Sequence, residues 1–129
     1  MSAITESVLC YFPDPGAAAA AEQVFAGLGM AVRQLSPRDL AQTPGYLAGL
    51  PGYEKLPEPL VPPRLAVPML VFSGLMDLRL DEALAALRKA QISVPHKAVL
   101  TPGNGGWTLT ALYEALDREH RAMTNSQGS

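Results

Sequence analysis

Two apolar runs, Val8–Phe12 and Met69–Ser73, constrain this chain more than any other feature of its sequence. Each is followed at close range by a helical pattern and then by a more polar extended segment. Nearly every residue in both runs is apolar, so each predicted strand must be covered on two faces, unlike the alternating strand of a half-exposed sheet. After the first run Pro13 closes the strand, Asp14 offers an N-cap and Pro15 takes the first helical position, where a missing N–H costs nothing. Ala21, Val24, Phe25 and Leu28 recur at helical spacing until Gly29, and Met30–Leu35 reads as a second strand. After the second run Gly74 ends the strand and Asp77 is placed to cap a helix with the stripe Leu80, Ala83, Leu84, Leu87 and Ala90; Ile92–Thr101 reads as the fourth strand. Sliding the chain by about 62 residues lays Val8–Phe12 on Leu70–Gly74, Phe25 on Leu87, and Met30 and Val32 on Ile92 and Val94.

Two βαβ units in one chain predict an α/β fold of the α+β sandwich kind, ferredoxin-like βαββαβ with strand order 4-1-3-2. A long 36–66 connection and an extra C-terminal helix at 108–123 are added to it. The apolar runs take the centre of the sheet, and Arg33, Gln34, His96 and Lys97 mark its edges. Pro95, which cannot donate to a ladder, also suits an edge. A flavodoxin-like parallel sheet is the alternative, with an additional crossover inside the connection. The 129 residues fit a single domain. Its parts are a βαβ unit at 8–35, a Pro/Gly-rich connection at 36–67, a second unit at 68–101, the helix, and a polar tail at 124–129 expected to be disordered.

Ser36-Pro37-Arg38-Asp39 reads as a capped helix start that ends before Pro44–Gly45. Beyond it Leu47, Leu50, Tyr53, Leu56 and Leu60 are too apolar for a solvated linker and should pack on something. The sheet face not covered by the two crossover helices needs such cover. The Leu47–Leu60 segment, the last helix or a second copy of the chain could supply it, so a homo-oligomer is one expectation.

Twelve acidic and ten basic residues leave a net charge of −2, and the basic residues are scattered except for Arg88–Lys89. A nucleic-acid partner normally needs a basic stripe, and none is present. No run reaches the roughly 18 apolar residues of a spanning helix, so no membrane partner is expected. Met1–Ser7 lacks the pattern of a secretory signal, and the single Cys10 cannot form an intramolecular disulfide; both point to the cytoplasm.

The densest local signal is the loop Gly103, Asn104, Gly105, Gly106, Trp107, Thr108, which leads into the last helix. Unpaired N–H groups and the helix dipole at such a place favour a small anionic ligand. The competing reading is a strand-to-helix turn in which the glycines supply positive φ, Thr108 caps, and Trp107 packs on Leu112. The spacing matches neither G-x-G-x-x-G nor the P-loop. Cys10 and His96, on strands expected to be neighbours, could form a thiol–imidazole pair, although a cysteine in an apolar strand is more often a small core residue. His120 is expected in the last turn of its helix, where a cation complements the dipole. Asp77, Asp81 and Glu82 need no more than a helix N-terminus to explain them. These patterns predict no catalytic residue, no metal site and no cofactor.

Pro68-Met69-Leu70-Val71-Phe72-Ser73-Gly74, Lys97-Ala98-Val99-Leu100-Thr101-Pro102, Asn104 and Trp107-Thr108-Leu109 carry a resemblance. Through them the segment Val67–His120 resembles a small bacterial domain of unknown function. Gly103, Gly105 and Gly106 make this loop looser than the family pattern. The resemblance implies no activity, substrate or cofactor. The function expected is a non-enzymatic binding or regulatory module able to self-associate. The alternative is a small anion- or nucleotide-binding protein or enzyme using the Gly103–Thr108 loop.

Overall fold

The computed structural model describes residues 6–128, with side chains as far as Met123, so most of the N-terminal stretch read above lies outside the described residues. The elements are β1 (Ser7–Tyr11), α1 (Pro15–Gly27), β2 (Ala31–Gln34), a 3-10 turn (Pro37–Ala41), α2 (Pro44–Leu47), β3 (Met69–Ser73), α3 (Asp77–Lys89), β4 (His96–Val99) and α4 (Leu109–Gly128). The mixed four-stranded sheet and its helices make this an α/β fold.

The sheet runs β2-β1-β3-β4. Strand β1 is antiparallel to β3, while β1–β2 and β3–β4 are parallel pairs. The apolar strands are central and the polar ones are edges, as expected, but the edges are exchanged relative to the ferredoxin-like order 4-1-3-2. The antiparallel centre also departs from a flavodoxin-like parallel sheet. In the ferredoxin-like order each crossover helix carries the chain past one strand. Here each returns it to the adjacent position, one strand spacing of about 4.8 Å away. Side-chain pattern separates centre from edge but is indifferent to which edge a strand occupies.

The two crossovers end alike. At the end of α1 the N–H groups of Gly29 and Met30 donate to the carbonyls of Ala26 and Phe25; at the end of α3 those of Gln91 and Ile92 donate to Arg88 and Leu87. Both are Schellman caps, which place one residue in the left-handed region. The first unit fills that position with Gly29 at φ 79°, and the second fills it with Gln91 at φ 60°, where a side chain is strained. At the start of α1 the Asp14 carboxylate accepts from the Ala17 N–H at 2.9 Å, as the sequence predicts. Asp77 does not cap α3: it is the first helical residue, after Met76. In its place Arg79 ties the first turn to the residue before β1 by a two-oxygen contact with Glu6 and donates to the Leu28 carbonyl.

Two cores sandwich the sheet. On one face Val8, Cys10, Leu70 and Phe72 pack against Phe25 and Ala21 of α1 and Ala83 and Leu87 of α3. On the other, Leu9, Tyr11, Met69 and Val71 pack against Leu40, Leu47 and Leu65 of the connection and Leu109 and Leu112 of α4. The second face is thus covered by the chain's own segments. The connection packs unevenly: Leu47 is buried, whereas Leu60 is fully exposed. Strand β4 is shorter than Ile92–Thr101, because the left-handed Gln91 and then Pro95 keep the intervening residues out of the ladder. Helix α4 continues to Gly128 and takes in the polar run expected as a tail. Its propagation costs only one residue's freedom per hydrogen bond gained.

Candidate functional site

The loop after β4 is a knot of short hydrogen bonds. The Asn104 amide oxygen accepts from Thr101 N–H at 2.9 Å, its NH2 donates to the Val99 carbonyl at 3.0 Å, and Gly105 N–H donates to the Thr101 carbonyl at 2.9 Å. Thr108 caps α4 as expected, accepting from Ala111 N–H at 3.1 Å. Leu109 N–H, an anion-facing donor in the phosphate-cradle reading, donates at 2.9 Å to the carbonyl of Gln42, and Trp107 N–H donates to Asn104. Several donors that a cradle would need are therefore used within the chain. The positive-φ glycines among the described residues are Gly29, Gly49, Gly52 and Gly74, so Gly103, Gly105 and Gly106 do not serve a left-handed turn.

Close approach explains Gly105 instead. A Cβ there would lie 2.4 Å from the Tyr53 hydroxyl oxygen, and one on Gly45 would lie 2.5–2.6 Å from three Tyr53 ring carbons. Gly45 N–H also donates to the Gly105 carbonyl at 3.1 Å. Tyr53 thus crosses two glycines that face each other from α2 and from the loop. Buried Gln42 holds the next stretch of the connection by a reciprocal amide contact with the Leu56 backbone, at 2.9 and 2.7 Å. Between these parts lies a groove of about 450 Å3 lined by Thr43, Tyr53, Glu54, Leu56 and Gly106. Trp107, next in the chain, is 47% exposed and is not the buried staple of the structural reading. That Tyr53 packs is expected from the sequence, but its seat against Gly105 and the brace of Gln42 on Leu56 are not, because these partners are remote in the chain.

Cys10 and His96 do not meet. In the observed register Cys10 faces Leu70 and Lys97, while His96 shares the opposite face with Met69 and Tyr11. Burial pushes the Cys10 thiol up to about 12, the range of an inert core cysteine. His96 is 2% exposed and places Nε2 at 3.0 Å from Asp117 Oδ1. A carboxylate only accepts, so Nε2 carries the proton and buried Nδ1 is left without a partner among the described residues. The His96 ring lies 4.9 Å from that of Tyr113 and 5.6 Å from that of His120, which sits well before the helix end rather than in its last turn.

The hydrogen bond from His96, with the Arg121 guanidinium 2.9 Å away, holds the Asp117 carboxyl below its ordinary value. A carboxyl lowered in the folded state stabilises fully above its unfolded value, and that stabilisation is lost as pH falls through the folded one. The melting temperature should therefore drop more steeply from about pH 5 to pH 3 in the native chain than in Asp117→Asn. Calorimetry across that range checks this; parallel slopes would refute it.

A family model described as Domain of unknown function (DUF3783) matches residues 68–123, under half of the chain, spanning β3, α3, β4 and most of α4. No curated protein and no solved structure matches the chain. Among the described residues, no helix is long and apolar enough to cross a membrane.

Proposed function

We propose that this protein is a non-enzymatic binding module that recognises a second copy of itself through the surface around Trp107. The observation that carries this reading is a large aromatic side chain, 47% exposed, on a loop held rigid by its own hydrogen bonds. A pre-ordered aromatic loses little conformational entropy on contact, and tryptophan is the side chain most enriched at energetic centres of interfaces. Leu56, 36% exposed, lines the adjoining groove, and Leu60 and Val61 are exposed further along the connection. The reducing environment of the cytoplasm suits the unpaired Cys10.

The anion-cradle alternative draws less support, because the loop's donors are partly used and Glu54 adds negative charge beside the groove. Sedimentation velocity at rising concentration tests the proposal. The native chain should dimerise reversibly, and Trp107→Ala should weaken the dimer by at least tenfold, the size of a hot-spot truncation above about 1.4 kcal/mol. A native chain that stays monomeric at several hundred micromolar, or a dimer indifferent to Trp107→Ala, would remove it.

A further inference from the structure

A second groove, of about 610 Å3, lies between the end of α3, the 91–95 loop and His120 of α4. That volume is within the range of roughly 300–1,000 Å3 typical of small-molecule sites. Its apolar wall is formed by Leu84, Leu87, Ile92, Val94 and Pro95. Its charged groups are all basic: the Arg88 guanidinium and the Lys97 ammonium, with the His120 imidazole beside them. Among the described residues, no aspartate or glutamate lines it.

This concentration of positive charge is notable in a chain of net charge −2. Arg79 is neutralised by Glu6 and Glu82, and Arg121 by Asp117. Arg88 and Lys97 have no carboxylate partner among the described residues. Lys97 donates to the Val94 carbonyl, which fixes the ammonium at the rim and leaves its other two N–H groups available. Gln91 adds a carboxamide to the same lining, from the strained left-handed position that the first βαβ unit fills with glycine. Glycine would relieve the backbone there but would remove the amide from the groove.

We propose that this groove binds an organic carboxylate with an apolar body, its head between Arg88 and Lys97 and its body along Leu84, Ile92 and Val94. Guanidinium and ammonium groups bind an anionic head by charge-assisted hydrogen bonds, and the aliphatic wall discriminates against a small hydrated anion. The proposal is independent of the Trp107 surface. All the lining residues fall within the segment matched by the family model.

The test is a titration of the full chain, followed by the methyl resonances of Leu84, Leu87, Ile92 and Val94, with octanoate, 1-octanol and inorganic phosphate as separate probes. Octanoate should shift these methyls saturably, 1-octanol should bind about tenfold more weakly or less, and phosphate should leave the methyls unmoved. Arg88→Gln and Lys97→Gln, both exposed positions, should each weaken octanoate several-fold with the melting temperature unchanged. The proposal is overturned if millimolar octanoate leaves these methyls unshifted or if octanol equals octanoate. It is equally overturned if phosphate equals octanoate, or if the Arg88→Gln, Lys97→Gln double variant binds octanoate as the native chain does.

Discussion

Phe72→Ala should lower the free energy of unfolding by about 3–5 kcal/mol, a large share of the roughly 5–15 kcal/mol available to a domain of this kind. Phe72 is 1% exposed on the central strand β3 and meets Phe25 of α1 edge to face, with ring centroids 5.9 Å apart. Truncation removes apolar area, an aromatic pair and the contact that couples α1 to the second unit, and it leaves a cavity that a sheet strand cannot collapse into. Urea denaturation should show the midpoint falling with little change in slope. Leu60→Ala is the control: its side chain is fully exposed, and the same measurement should move by no more than about 0.5 kcal/mol. Comparable losses in the two variants would mean that burial does not organise this core as described.

Gly45→Ala should destabilise by about 1–3 kcal/mol, against the helix propensity of the substitution itself. Gly45 lies in α2, where alanine would by propensity be favoured by about 1 kcal/mol. The added Cβ, however, would sit 2.5 Å from the Tyr53 ring, whose carbons cannot bend away as a flexible chain end could. Overpacking therefore outweighs propensity. In a Tyr53→Ala background the obstacle is gone, so Gly45→Ala should become neutral or stabilising. This change of sign, read from a double-mutant cycle by thermal or urea unfolding, is specific to the tyrosine bridge. A Gly45→Ala cost that persists in the Tyr53→Ala background would refute it. Gly105→Ala should also be costly, since its Cβ would meet the other end of the same ring, but part of that cost should persist without Tyr53, because the Thr101 carbonyl lies 3.3 Å from the added Cβ.

Some of the candidate site was legible in advance and some was not, for definite reasons. Thr108 was readable as a cap because its partner, Ala111, is three residues away. Asp14 and the Ser36–Asp39 capping box were readable on the same grounds. The role of Gly105 was misread, because its real constraint is a tyrosine about fifty residues earlier and not its own backbone angle. The basic groove was invisible because Arg88, Lys97 and His120 come from three different elements and carry no common spacing.

The sequence by itself determined which strands are central. Runs apolar on both faces have no stable position except between two covering layers, and β1 and β3 occupy it. It also determined both crossover helices and the ends of α1, where Asp14 caps and Gly29 closes the Schellman turn, but not the ends of α3, where Asp77 does not cap and Gln91 takes the left-handed place. Only the tertiary structure decided which strand lies at which edge, because that depends on how far each helix carries the chain and not on any side-chain pattern. It alone separated Cys10 from His96, since β3 lies between their strands and the observed register puts the two side chains on opposite faces. It alone covered the second face of the sheet from within, by folding Leu40, Leu47 and Leu65 onto α4 and β3. Apolar residues state how much surface must be buried; geometry selects the partner.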